Sequence, residues 1–299
     1  VRLTNMDTMY VKAEVRLNNI EFKPRGDLGG IDGRVNYVDY IQPKFNKIKF
    51  ERPVSIAQAK VTYRLIFNWS TFESNIRVIL DKSSIDNEII LANCILRGYS
   101  RLELTKGRIG SIKCLFDPTN KQRLSHHIFI TDHEESVILF QDNSFVKRDT
   151  IGQVRIGGRL YSLRLWDNTF DTDLNFSETS IEDMVMIRNT FNGLIDMTNV
   201  EFGSYKSELY FDQLGGNVGV YSNEDNAVTT WRPRTFESFS DSIAAERFFN
   251  VYRRLTELFK SRGNIRDYNR MYIEMKDFET MQLQYYSEKE KSLAALFSW

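Results

Sequence analysis

The sequence predicts a mainly β chain, a right-handed parallel β-helix closed by a C-terminal α-helical hairpin. Two observations carry this. One eight-residue spacing, apolar-any-apolar-any-any-small or polar-any-apolar, occurs twelve times, and within its two main blocks it returns every 10 to 14 residues. A spacing that recurs at so short an interval belongs to stacked coils of one backbone. From about Ser240 onward the apolar residues instead fall three and four apart, the period of an amphipathic helix.

The copies run in order. A loose one starts at Val15 and precedes a first insertion, about residues 23–53. The best copies then follow as Val54-Ile56-Ala59-Val61, Leu65-Phe67-Ser70-Phe72, Val78-Leu80-Ser83-Ile85, Ile89-Leu91-Cys94-Leu96 and Leu102-Leu104-Gly107-Ile109. A second insertion, about 113–136, leads to a loose copy at Ile138. The second block reads Leu163-Leu165-Asn168-Phe170, Leu174-Phe176-Thr179-Ile181, Met184-Met186-Asn189-Phe191 and Ile195-Met197-Val200-Phe202, and a last loose copy begins at Leu209. Dominant apolar positions lie five apart, as in Leu165 and Phe170 or Met186 and Phe191. A half-buried strand would alternate by two, so the five-residue step means short strands with a bend after each. Two copies make one coil of about 24 residues, and six coils at the ~4.8 Å spacing of paired strands give a stack of ~30 Å. The predicted core is Leu80, Leu91, Leu104, Leu165, Phe170, Phe176, Met186, Phe191, Met197 and Phe202.

Residues 217–239 read as a polar connector and 240–299 as two helices. Ser240 or Asp241 is the expected N-cap. Phe248, Tyr252, Leu255 and Phe259 form the first apolar stripe, Gly263 the stop, and Tyr268, Met271, Tyr272, Met275 and Phe278 the second stripe. The hairpin is expected to cap the open end of the stack. The segment ending in Phe297 and Trp299 turns apolar and is the candidate interaction site, for self-association, a protein partner or a bilayer surface beyond Trp299.

The stretch Ile195-Asp196-Met197-Thr198-Asn199-Val200-Glu201-Phe202 resembles the repeat of the pentapeptide-repeat proteins written twice, with Phe or Leu at the centre and a small residue two before it. The likeness covers roughly residues 54–216. It departs from the family in carrying Asn, Thr, Val and Leu where Ala or Ser is usual, and in its longer coil, which keeps a general β-helix of the pectate-lyase type as the structural alternative. Tyr252-Arg253-Arg254-Leu255 and Tyr268-Asn269-Arg270-Met271-Tyr272 are similar to the helical hairpin that follows such repeats in many bacterial proteins, some of which continue into an ion-channel-type membrane segment. The resemblance implies a non-catalytic scaffold or protein-interaction module, without cofactor, in the soluble region of a membrane or channel-like protein.

Charge narrows the choice. Lys+Arg and Asp+Glu are both 40, a net charge of zero. The family's role as a DNA mimic toward type II topoisomerases requires a strongly negative surface, and nucleic-acid binding requires a global basic one; neither fits. Cys94 and Cys114 form no disulfide framework, which points to a reducing, cytoplasmic compartment. No run of eighteen apolar residues spans a membrane. Arg25-Gly26-Asp27 is read as a chance tripeptide. His126, His127 and His133 in the second insertion carry no metal spacing, since adjacent residues on a strand face opposite ways. The alternative function is binding or cleavage of polysaccharide by carboxylates aligned on one face, with Asp81, Asp167, Asp171, Asp173, Asp183 and Asp196 as candidates.

Overall fold

The structure, a computed structural model, describes residues 9–11, 15–18, 21–22, 44–61, 64–80, 88–118, 126–132, 136–147, 153–203, 209–224 and 227–297. It is a parallel β-solenoid of about six turns followed by two C-terminal helices. Each coil lays down three strands. The first face includes Ile76–Leu80, Ser100–Leu104, His126–Ile130, the start of Gln153–Trp166, Asp173–Asn175 and Ile195–Asp196. The second includes Arg64–Asn68, Glu88–Ala92, Arg108–Ile112, Val137–Gln141, the end of Gln153–Trp166 and Ser180–Ile187. The third is an 8-stranded sheet built largely of two-residue strands such as Thr71–Phe72, Ser144–Phe145 and Thr169–Phe170.

The eight-residue pattern follows directly from this path. Its first two apolar residues point inward from a strand, its small or polar residue lines a corner, and its last apolar residue points inward from the next strand. Leu163, Leu165, Asn168 and Phe170 are all buried, as are Ile89, Leu91, Cys94 and Leu96. Of the predicted core, Leu80, Leu91, Leu104, Leu165, Phe170, Phe176, Met186, Phe191 and Met197 are buried, and Phe202, in the last coil, is half-buried. Rings stack up the third face: Phe116 on Phe145 at 4.3 Å, Phe145 on Phe170 at 4.7 Å and Phe170 on Phe191 at 5.3 Å.

The corner between the second and third faces turns through one left-handed residue per coil, at Lys47, Trp69, Asn93, Lys113, Asp142, Asp167 and Arg188. The residue after each points inward. In three successive coils it is asparagine, and the amides form a buried ladder. Asn143 and Asn168 each give their backbone N–H to the Oδ1 of the next asparagine, both at 3.0 Å. Asn143, Asn168 and Asn189 give Nδ2–H to the carbonyls of Ser111, Phe140 and Leu165 at 2.8, 3.0 and 2.8 Å. Ser70, Cys94 and Cys114 continue the column toward the N-terminus. The strand Gln153–Trp166 passes from first to second face without a break at Gly158, whose φ is 108 and where a Cβ would lie 1.8 Å from the Ile130 carbonyl oxygen.

Several stretches differ from the sequence expectation. Lys44–Asn46 and Ile48–Phe50, expected within the first insertion, are strands paired with the coil that follows. Their repeat has Pro43 at its first apolar place, which hid it. Leu115–Phe116 and His126–Ile130, expected in the second insertion, likewise belong to the stack. The loose copy at Leu209 is not a coil: Phe211–Leu214 is a short helix, α1. The expected connector contains an antiparallel pair, Val218–Glu224 with Ala227–Trp231, and its first strand extends the first face through Ile195↔Val218.

The next helix, α2, spans Ser242–Ser261, with the Asp241 side chain accepting from the Ala244 N–H at 2.9 Å. Gly263, at φ 69, separates it from α3, Ile265–Phe297. Phe248, Tyr252, Leu255 and Phe259 are buried against Met271, Met275 and Phe278, while Tyr272, expected on that stripe, is 40% exposed. It stands at the rim, with its ring stacked on Tyr268 at 5.9 Å and the Lys276 ammonium above it. The helices meet the stack through Val218 and Val220 and through Arg254, whose Nη1 donates to the Val200 carbonyl at 3.1 Å.

Candidate functional site

The second face carries an apolar outer surface. Its strands alternate inward and outward side chains, yet many outward positions are apolar too. Register aligns Ile66 with Ile90, Ile90 with Gly110 and Gly110 with Leu139 in one column. The neighbouring column aligns Ala92 with Ile112, is interrupted by Gln141, and continues with Trp166 aligned to Ile187. All except Gly110 keep partial exposure. Gly110 leaves a hollow at the centre, since a Cβ there would have no neighbour within 4 Å. Trp69 stands at the corner beside this surface, 60% exposed in the left-handed conformation. The rim is charged and paired: Arg108 meets Glu88 at 3.1 Å, and Arg164 lies over the Trp166 ring and 3.8 Å from Asp183. An apolar surface with tryptophans and a polar rim is the composition of a docking face, and here Gln141 and Arg164 break it between Ile112 and Trp166 and beside Leu139. A signal for it was in the sequence: Leu65-Ile66-Phe67, Ile89-Ile90-Leu91 and Ile138-Leu139-Phe140 are unbroken apolar triplets, more than one buried face requires.

The carboxylates expected as a ladder do not share a groove. Asp167 makes a two-pronged pair with Arg188 at 2.6 and 2.7 Å on the corner. Asp171 accepts from the Asn192 amide, Asp173 from the Leu194 N–H and Asp196 from the Thr198 N–H. Asp183 lies on the second face beside Ser162; Asp81 lies outside the described residues. Asp167, Asp171, Asp173 and Asp196 hold corners and turns. The histidines part as well. His126 points into the core, edge-on to Phe116 at 5.3 Å, and burial with the neighbouring His127 lowers its pKa to about 4. His127 points outward, and His133 lies outside the described residues. No group of three or more His, Cys, Asp or Glu among the described residues is placed to hold a metal ion.

Cys94 and Cys114 are buried ladder neighbours, with the Cys94 N–H 3.4 Å from the Cys114 sulfur. The hydrogen bond between the thiols and burial push the Cys94 thiol up, and because both sulfurs are buried neither is an exposed nucleophile. A groove of about 490 Å³ opens between the last coil and α2, lined by Val200, Phe202, Arg254, Leu258 and Arg262. Behind the helices, Glu274 accepts from Arg232 at 2.6 Å and from the Gly216 N–H at 3.2 Å, and burial together with the Glu274 charge raises the Tyr252 phenol. This cluster ties the β-pair to α3. Residues 286–291 of α3 are exposed, Phe297 ends the helix, and Trp299 lies outside the described residues. No helix among the described residues is long and apolar enough to cross a membrane.

No protein-family model, curated protein or solved structure matches the chain.

Proposed function

We propose that this chain is a non-catalytic interaction module, a solenoid scaffold that presents its second face to a protein partner. One observation carries the reading: the outward apolar columns of Ile66, Ile90 and Leu139 and of Ile112, Trp166 and Ile187, beside exposed Trp69. Leaving such surface wet is costly, at about 25 cal/mol per Å². The exposed end of α3 is a second contact in this reading, suited to self-association or to a bilayer surface at the C-terminal segment. The corners at Asp167, Glu178, Arg188 and Asn199, all left-handed, recur every ten or eleven residues and support a pentapeptide-repeat-like origin for the last coils.

The test is affinity capture with purified chain against an Ile90→Asp, Leu139→Asp double variant. Both side chains point outward, so the variant keeps the parent's melting curve while losing the captured partner. Equal capture by both proteins removes the second face from the account. Release of reducing ends from a panel of polysaccharides, lost on replacing Asp171 and Asp173, would establish an enzyme instead.

A further inference from the structure

Gly110 is a glycine that the fold does not ask for. It stands mid-strand in Arg108–Ile112, paired on both sides, with a φ outside the left-handed region, and a Cβ there would meet nothing within 4 Å. Of the other described glycines, four have φ between 69 and 121, and the remaining six would bring a Cβ to 2.9 Å or less from a neighbour. A glycine inside a strand weakens it, and often marks the place where a ligand or another backbone comes close. At 110 it leaves a hollow between Ile90 and Leu139 of its own column, with Ile112 and Arg108 on its flanks. The Arg108 side chain, 54% exposed, is free to lie over an aromatic ring seated there.

Trp69 is the converse, a large side chain where the fold asks for a polar one. Its φ is 52, a conformation that favours Asn and Asp and is strained for a bulky residue. The same corner of the other coils carries Lys47, Asn93, Lys113, Asp142, Asp167 and Arg188, all polar. Trp69 is 60% exposed, so burial within the chain does not offset the strain. Its coil lies two below that of Gly110, roughly 10 Å along the axis, and its own ring stays out of the hollow.

We propose that the second face pairs with itself: two copies of the chain meet there, and the Trp69 side chain of each fills the Gly110 hollow of the other. The proposal rests on the reading of this face as a docking surface and names its occupant. A missing side chain and a surplus one, neither required by the fold, stand on one surface. A two-fold axis between facing copies that seats one Trp69 over the partner's hollow seats the other as well, which is the reciprocity of an isologous interface. The contact buries the indole, covers Ile90, Ile112 and Leu139, and sets Arg108 beside the incoming ring. A net charge of zero leaves no overall repulsion to hold two copies apart.

The experiment is analytical ultracentrifugation of the full chain at loadings from about 1 to 200 μM, the range for a small interface. A monomer–dimer equilibrium is expected. Gly110→Ile, which fills the hollow with the residue found at Ile66 and Ile90 in the same column, and Trp69→Asn, which repeats Asn93 of the next corner, should each weaken the dimer by about tenfold or more. Both variants should melt at or above the parent's temperature when compared as monomers, because one gains a strand-forming residue in open space and the other loses a strained one. An equimolar mixture of the two should associate more tightly than either alone, since the Trp69 of one variant still meets the open hollow of the other. A parent that stays monomeric throughout, or a mixture no tighter than its components, would overturn the proposal. A dimer lost in the Ile90→Asp, Leu139→Asp double variant but kept in both single variants would overturn it while leaving the docking face standing; a dimer kept in all three would place self-association elsewhere and overturn it too.

Discussion

Asn168 shows how much one side chain supports. Its Oδ1 accepts the backbone N–H of Asn143 and its Nδ2–H groups donate to the Phe140 carbonyl and to the Asn189 Oδ1, all in the buried interior. Asn168→Leu fills similar volume but strands a buried donor and a buried acceptor. The expected loss is about 2–4 kcal/mol, read from urea unfolding. His126 predicts a pH dependence. Its folded pKa is depressed to about 4 from an ordinary 6.5, so the unfolded chain binds the proton more readily between those values. Stability is therefore fully present above about pH 6.5 and falls as pH drops toward 4, by roughly 3 kcal/mol at most from this residue. His126→Leu should flatten that part of the profile; an unchanged acid limb would show that other groups set it. The pattern marked Asn143, Asn168 and Asn189 as inward small or polar positions, but their pairing into a ladder depends on coil-to-coil register, which spacing alone does not give.

At the scale of elements, the strongly periodic parts were legible. The second block, the Asp241 cap, the Gly263 stop and both helices follow from apolar spacing and end signals, because local chemistry and tertiary packing agree there. The strands at Lys44–Asn46 and Val218–Glu224 were not, since Pro43 and Asp225 occupy places where the pattern expects apolar residues, and pairing to a neighbouring coil overrides that weakness. The outward surfaces were partly legible: apolar triplets announce the second face, whereas the Arg77, Arg101, His127, Arg155 column joins residues 24 to 28 apart whose alignment only the register reveals. The helical hairpin supports its own prediction. Deleting residues 240–299 uncovers Val200, Val218 and Val220 and leaves open strand edges, so the shortened chain should aggregate in size exclusion. Deleting 287–299 removes the exposed residues 287–291 of α3 with the segment after them and should leave a folded body with an unchanged melting temperature.

The whole molecule is a stack in which each coil rests on its neighbours, so damage to one rung spreads along the axis. Met186 is fully buried beneath Leu165 in the register of the second face. Met186→Asp places a charge where no partner exists and should abolish the cooperative melting transition at neutral pH; a transition within a degree or two of the parent's would contradict the assigned register. The two outer faces differ in kind, one largely apolar and the other carrying Arg77, Arg101, His127 and Arg155 in one column. The most direct test of the scaffold account is a photo-crosslinking residue placed at Ile90 on the second face, with a second chain carrying it at Arg77 on the first. The account predicts a defined protein adduct from position 90 and none from position 77; an adduct from position 77 alone, or none from either, would contradict it.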